Sequence, residues 1–180
     1  MTYQQAVEKI RAEFPEFRML DKQTSLLMQL INRVLLVISF GRLNRFMTDY
    51  VTTMGTTVYV PDGWDQMSDA SRTGVLLHEA VHMRQERRLG KVLYSVMYLC
   101  WPLPVLYAVG RRNLEQEAYR ESLRVQLETH GDVWVLRNSD SLREWYINQF
   151  CGSAYMWTWY SRQDIGRWFD KTLGELLESR

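Results

Sequence analysis

The sequence has few of the residues from which metal and redox sites are built. It contains three histidines and two cysteines in 180 residues. Cys100 and Cys151 lie far apart and form no CxxC pair, which excludes cysteine-rich zinc modules and disulfide scaffolds. We expect two buried free thiols, because unpaired cysteine behaves as a small hydrophobic residue; a single bridge is the alternative. A metal site must therefore use the few histidines, supplemented by carboxylates.

An excess of either charge is also missing. The chain has 22 Lys and Arg against 21 Asp and Glu, a net charge of +1. This balance removes the simplest argument for nucleic acid or an anionic membrane surface as partner. The basic clusters at 84–88 and 111–112 are expected to be solvated helix ends. An aromatic content of 13% and a hydrophobic content of 46% predict a folded chain rather than a disordered one.

The N-terminal residues contain no apolar signal-peptide core, so the expected location is the reducing cytoplasm. No internal repeat, low-complexity tract or linker interrupts the sequence. We therefore predict a single domain over 1–180. It would have N-terminal helices at 1–46, a core at 47–130 and an aromatic-rich helical part at 131–180.

One long uncharged run, Val92–Gly110, reaches the length of a transmembrane segment. Pro102 and Pro104 lie inside it and would break a spanning helix at mid-bilayer. We expect two short buried segments that meet at these prolines, with contact to a membrane or a protein partner as the alternative. The apolar segment Leu26–Phe40 is interrupted by Asn32 and Arg33, which favours a core helix.

Periodicity and capping residues predict an α+β, predominantly α-helical fold. Helices are expected at 2–14, 23–40, 69–89, 113–130, 141–150 and 164–178. The expected caps and terminators are Ser68, Gly90, Asn113 and Gly131. A Val- and Thr-rich stretch at 47–60, with Gly55 inside it, predicts a β-hairpin or a single strand reached by a turn. The small sheet would then lie directly before the helix at 69–89.

This helix carries the pattern H-E-x-x-H at His78, Glu79 and His82. Two histidines four residues apart stand one above the other on the same helix face, so both imidazoles can reach one zinc ion. Glu79, beside them, is placed to accept a proton from water. The neighbouring Leu76 and Leu77 indicate a buried helix. Ordinary surface or core histidines are the alternative interpretation.

A catalytic zinc ion needs a third protein ligand. Positions 85 and 88 are Gln and Arg, which excludes the elongated HExxHxxGxxH form. The candidates on the next predicted helix are Glu115, Glu117 and Glu121. Ala118 beside Glu117 would let two helices approach closely, and Glu121, one turn on, could orient a ligand. An ordinary charged helix with Glu–Arg pairs is the alternative.

HEAVH followed by Glu-Ala-Tyr at 117–119 resembles the zincin metallopeptidases, and more narrowly the gluzincins with their compact minigluzincin members. The resemblance covers residues 58–127. It implies a zincin-like core in which zinc is bound by His78, His82 and Glu117, with Glu79 as general base. It also implies that the strand at 56–60 is the sheet edge that aligns the substrate. Transition-state candidates among the remaining polar residues are Tyr119, Arg124, His130 and Tyr155.

The resemblance implies a zinc-dependent metallopeptidase that hydrolyses peptide bonds of a peptide or protein substrate, without nucleic acid as a partner. One alternative is a catalytically silent scaffold with a structural zinc, which docks through Trp157–Trp159 and Val92–Gly110. A second alternative is a membrane-associated peptidase anchored by Val92–Gly110. The oligomeric state stays open.

Overall fold

The computed structural model describes residues 1–42, 44–99, 104–152 and 161–180. The predicted fold class is confirmed, since the chain is α+β and predominantly helical with a small sheet. The chain divides into two compact units, Met1–Arg84 and Gln85–Arg180. The boundary falls inside one continuous helix, α4 (Asp69–Leu89). A single domain over 1–180 stays a prediction.

The first unit contains the whole described sheet and the N-terminal helices. Its elements before α4 are α1 (Tyr3–Glu13), β1 (Arg18–Asp21), α2 (Leu26–Ile38), α3 (Phe46–Asp49), β2 (Thr52–Met54), β3 (Thr57–Val60) and a short 3₁₀ helix (Trp64–Gln66). The predicted hairpin is present as β2 and β3, which pair antiparallel. Gly55 turns the chain between them with a φ of 60°, a conformation that glycine adopts at little cost.

The sheet has the strand order β1-β3-β2, so β3 is its central strand. The prediction that 56–60 forms the substrate-aligning edge is therefore wrong. β1, which the sequence analysis missed, pairs parallel to β3 on one side, with Arg18 opposite Thr57. β2 pairs with the other side, with Thr53 opposite Val58. The edges of the described sheet are β1 and β2.

The core of the first unit joins α1, the sheet and α4. Ile10 of α1, Val58 of β3 and Leu76 of α4 are fully buried in one apolar cluster. Ala80 and Met83 extend the α4 side of this cluster at helical spacing. One face of α4 thus packs against the apolar core of the first unit, and the opposite face can carry polar side chains.

The prediction that Leu26–Phe40 is a core helix is wrong. Helix α2 forms there, and Ser25 caps it by accepting a hydrogen bond from the Met28 amide. Met28 is its one buried residue. Ile31, Leu35 and Leu36 are half-buried, and the remaining apolar side chains of α2 are exposed to solvent.

The second unit is helical. Its elements after α4 are α5 (Lys91–Leu99), α6 (Pro104–His130), α7 (Asp132–Arg137), α8 (Ser139–Cys151) and α9 (Arg162–Glu178). Helix α6 begins at Pro104, so the predicted start at Asn113 is wrong. Proline is well tolerated in the first turn of a helix, where its missing N–H has no partner to lose. Gly131, with a φ of 80°, follows the end of α6 as predicted.

An aromatic cluster forms the core of the second unit. Tyr119 of α6, Tyr146 and Phe150 of α8, and Phe169 of α9 are all buried in it. Tyr146 lies at the centre and contacts Tyr119 and Phe169 at ring-centroid distances of 5.5 and 5.4 Å. Cys151 is half-buried and packs against the cluster.

Within the described residues, no helix is long and apolar enough to cross a membrane. Of the uncharged run Val92–Gly110, the first part belongs to α5 and the last part to α6. The predicted corner between them, Cys100 included, lies outside the described residues. The predicted docking stretch Trp157–Trp159 and the candidate Tyr155 lie outside them as well.

Candidate metal centre

Helix α4 has the bounds that its capping residues predict. The Ser68 hydroxyl accepts a hydrogen bond from the Ser71 amide at 3.2 Å, and Gly90 follows the last turn with a φ of 79°. Leu76 and Ala80 point into the apolar core. His78 and His82 each lie two residues further on, about 200° around the helix, so they occupy the opposite face.

The two imidazoles are oriented toward each other. The Nε2 atoms of His78 and His82 are 3.3 Å apart, and the rings meet edge to face. Two nitrogens bound to one tetrahedral zinc ion at about 2.0–2.1 Å must lie about 3.3–3.4 Å apart. The observed separation therefore fits a shared metal ion. Without one, the same atoms can form a hydrogen bond in which one imidazole donates and the other accepts.

Glu79 is buried beside the histidines and is tied to the sheet. The Thr53 hydroxyl of β2 donates a hydrogen bond to the Glu79 carboxylate at 2.6 Å. A short hydrogen bond to a carboxylate fixes its orientation and satisfies one of its oxygens. The general base predicted from the sequence is therefore held in place by an edge strand.

Lys22, directly after β1, places a buried cation near this carboxylate. Its side chain is fully buried, its ammonium donates a hydrogen bond to the Phe46 carbonyl at 2.8 Å, and it lies 3.8 Å from the centroid of the Phe46 ring. Burial lowers the pKa of Lys22 from 10.5 to about 8, and the negative charge of Glu79 opposes this shift. The carboxylate of Glu79 thus partly offsets the cost of burying the Lys22 ammonium.

In the second unit, Gln85 connects the last turns of α4 to α6. This fully buried amide donates one hydrogen bond to the Leu114 carbonyl at 2.9 Å and one to the Glu117 carboxylate at 3.0 Å. Arg88 adds an ion pair to the same carboxylate at 3.0 Å. Gln85 is three residues after His82, so it lies on the same side of α4 as the histidines.

Glu115 and Glu117 lie on different faces of α6, because two residues correspond to about 200° of rotation. Glu115 is 1% exposed. The Glu117 side chain is 44% exposed and contacts Gln85 and Arg88. Burying a carboxylate costs free energy unless a cation or hydrogen-bond donors lie beside it, and this cost is larger for Glu115 than for Glu117. The role of Glu117 as third ligand stays a prediction.

The remaining candidates have other environments. The Glu121 carboxylate accepts two hydrogen bonds from Arg124, at 2.8 and 2.7 Å. Tyr119 packs in the aromatic core. His130 stacks on Trp134 with a centroid distance of 4.3 Å at the exposed end of α6. The roles predicted for Glu121, Tyr119 and His130, to orient a ligand or to stabilise the transition state, stay predictions.

Thr53, Lys22 and Gln85 were missed as site residues. Gln85 carried a signal, since it continues the stripe of His78 and His82 on α4. The sequence carries no such signal for Thr53 and Lys22, because their proximity to Glu79 depends on how the strands of the sheet pair. Comparison of the chain with known protein families, with curated proteins and with solved structures finds no match.

Proposed function

We propose that the protein is a zinc-dependent hydrolase that cleaves peptide bonds, with His78, His82 and Glu115 as metal ligands. The observation that carries the proposal is the 3.3 Å separation of the two histidine Nε2 atoms, which equals the edge of a tetrahedral site. The proposal replaces Glu117 by Glu115 as third ligand. Glu115 is the most buried of the three candidate carboxylates on α6.

Two further facts support Glu115. Helix α4 continues without a break from His82 to Gln85, and Gln85 holds the backbone of Leu114. The residue after Leu114 is Glu115, and burial of its side chain favours a place where a cation or hydrogen-bond donors offset the buried charge. Two imidazoles and one carboxylate are also the donor set of several catalytic zinc sites, which leave a fourth position open.

When bound, zinc supplies a Lewis acid that polarises a carbonyl and lowers the pKa of water. Glu79 accepts a proton from the attacking water as the new C–O bond forms. The same carboxylate then passes that proton to the amine nitrogen as the C–N bond breaks, which balances the hydrolysis. Thr53 keeps Glu79 oriented through both proton transfers.

The assignment of an extended peptide as substrate rests on β2. This strand is an edge of the described sheet, and its Thr53 contacts the general base. An edge strand offers unpaired backbone groups that a peptide can pair with independently of its sequence. We therefore transfer to β2 the substrate-aligning role that had been predicted for the strand at 56–60.

Metal analysis of the purified chain tests the ligand set. We expect about one zinc ion per chain, lost in His78→Ala and in Glu115→Gln. His130→Ala is the matched control and keeps the metal, because His130 stacks on Trp134 outside the ligand set. Zinc retained in Glu115→Gln but lost in Glu117→Gln would reject Glu115 and restore the earlier prediction. A metal-free chain would reject the whole proposal.

Activity separates a hydrolase from a structural zinc protein. Glu79→Gln should keep zinc and lose peptide cleavage by about 10²–10⁴-fold, the usual contribution of a general base. The assay uses unfolded proteins as substrates, with the zinc-loaded wild type as reference. A wild-type chain that holds zinc but cleaves none of them would contradict the hydrolase and favour a silent scaffold.

A further inference from the structure

We propose that α2 and the turn after it form a docking surface for a membrane with anionic lipid headgroups. The surface consists of the solvent-facing side chains of Leu26, Leu30, Val34, Val37 and Phe40, with Arg33 and Arg42 at its border. The inference goes beyond the proposed hydrolase function and does not depend on the metal site.

The first observation is the orientation of α2. Leu26 is 81% exposed, Val37 is 75% exposed and Phe40 is 95% exposed. On a helical projection Leu26 and Val37, together with Leu30 and Val34, share one side, while Met28 lies on the other. A contiguous apolar helix face of this kind marks an interaction surface, whereas single exposed apolar residues are ordinary.

The second observation is the charge pattern around this face. No acidic residue occurs between Asp21 and Asp49, while Arg33, Arg42 and Arg45 do. Arg33 and Arg42 have exposed side chains, and Arg45 forms an ion pair with Asp49. The charged residues of 22–48 are thus all cations. An exposed apolar face with cations beside it is complementary to a bilayer, whose hydrocarbon takes up the apolar side chains and whose anionic headgroups pair with the cations. The net charge of the whole chain conceals this local pattern.

The same pattern disfavours a second copy of the chain as occupant. A symmetric dimer through α2 would bring the same patch of both copies together. Its border would then place the arginines of one copy near those of the other, with no acidic residue of the segment to offset them. Anionic lipid headgroups remove this repulsion.

The length of α2 determines how it would meet the bilayer. It has 13 residues, which span about 20 Å, whereas a bilayer core is about 30 Å thick. Such a helix lies in the interface plane, with its apolar side buried by about 5–10 Å. Phe40 has a φ of 52°, unusual for a residue with a side chain, and it follows α2 directly on this surface.

Vesicle sedimentation of the full chain tests the proposal. We expect binding to phosphatidylcholine vesicles that contain phosphatidylglycerol at about one third of the lipid, and weaker binding to pure phosphatidylcholine. Leu30→Gln/Val37→Gln should lower the affinity by about tenfold per side chain, since each loses its apolar transfer energy. Arg33→Gln/Arg42→Gln should lower it by about fivefold per arginine on the anionic vesicles alone.

Val133→Gln on α7 is the matched control, because Val133 is also well exposed but lies outside α2. It should bind as the wild type does. Circular dichroism verifies that each variant is folded. Absence of binding to anionic vesicles would overturn the proposal, as would equal binding of the wild type and the Leu30→Gln/Val37→Gln variant. Self-association that this variant abolishes, without vesicle binding, would identify a second copy as the occupant instead.

Discussion

Helix α2 of the first unit and helix α9 of the second use their apolar residues in opposite ways. In the second unit, α9 directs Ile165, Phe169 and Leu173 into the aromatic core. In the first unit, α2 has ten apolar residues against six in α9, yet six of the ten are exposed to solvent. The first unit also buries the side chains of Lys22 and Glu79. The second unit also buries a carboxylate, Glu115, so buried charge does not distinguish the units. The exposed apolar face of α2 does, and because such a face reduces stability, stability alone does not explain it.

The matched pair Leu173→Ala and Leu30→Ala tests this contrast most strongly. Leu173 of α9 is 7% exposed and Leu30 of α2 is 58% exposed. We expect Leu173→Ala to lower the free energy of unfolding by about 2–5 kcal/mol, because it leaves a cavity in the core. Leu30→Ala should change it by no more than about 0.5 kcal/mol. Urea denaturation measures both, and equal losses would show that α2 packs against the protein.

The second contrast concerns Lys22. Its folded pKa is about 8 against an ordinary value of 10.5, so between these pH values the unfolded chain binds more protons. The free energy of unfolding should therefore rise by about 3 kcal/mol as the pH increases through this window. Below about pH 8, Lys22 is protonated in both the folded and the unfolded chain, so the free energy of unfolding is lowered by the full cost of burying the ammonium.

Lys22→Met removes the titrating group and keeps a side chain of similar length. Its stability should therefore lack the rise that the wild type shows from pH 8 to 10.5. Denaturation curves of both proteins across this range give the difference, in which the titration of the tyrosines cancels. Parallel pH profiles for the two proteins would exclude a buried, destabilised ammonium at position 22.

The local features of the sequence were sufficient to predict α4 and its two histidines. Ser68 and Gly90 bound the helix, and the spacing of His78 and His82 places them on one face. The role of Thr53 could not be predicted in this way, because it depends on which strand pairs with β3 and in which register. The same is true of β1, whose four residues carry charges at both ends.

Helix periodicity also left two choices undecided. The apolar composition of Leu26–Phe40 led to the prediction of a core helix, but composition does not tell whether such a helix faces the core, since its packing partner is not local. The sequence left Glu115, Glu117 and Glu121 open as third ligand, and the burial of Glu115 against the exposure of Glu117 distinguishes the first two only in the folded chain. Tertiary contacts, rather than local preference, decide such cases.

A smaller effect is expected in the aromatic core of the second unit. The Tyr146 hydroxyl is buried and has no hydrogen-bond partner within the described part of the chain, and burial raises its pKa. Tyr146→Phe removes this group and keeps the ring contacts. We expect a gain in unfolding free energy of about 1–2 kcal/mol, measured by urea denaturation. A loss of stability would show that the hydroxyl has a favourable contact in the folded state.

The smallest contrast compares two arginines of α4, one in each unit. Arg84 forms a two-pronged, half-buried ion pair with Glu13, at 2.7 and 2.9 Å. Arg88 forms a more exposed pair with Glu117. Arg84→Gln should cost about 1 kcal/mol, and Arg88→Gln no more than about 0.5 kcal/mol, because solvent screens the exposed pair. High salt should therefore reduce the cost of Arg84→Gln only in part, since a half-buried pair is screened less than an exposed one.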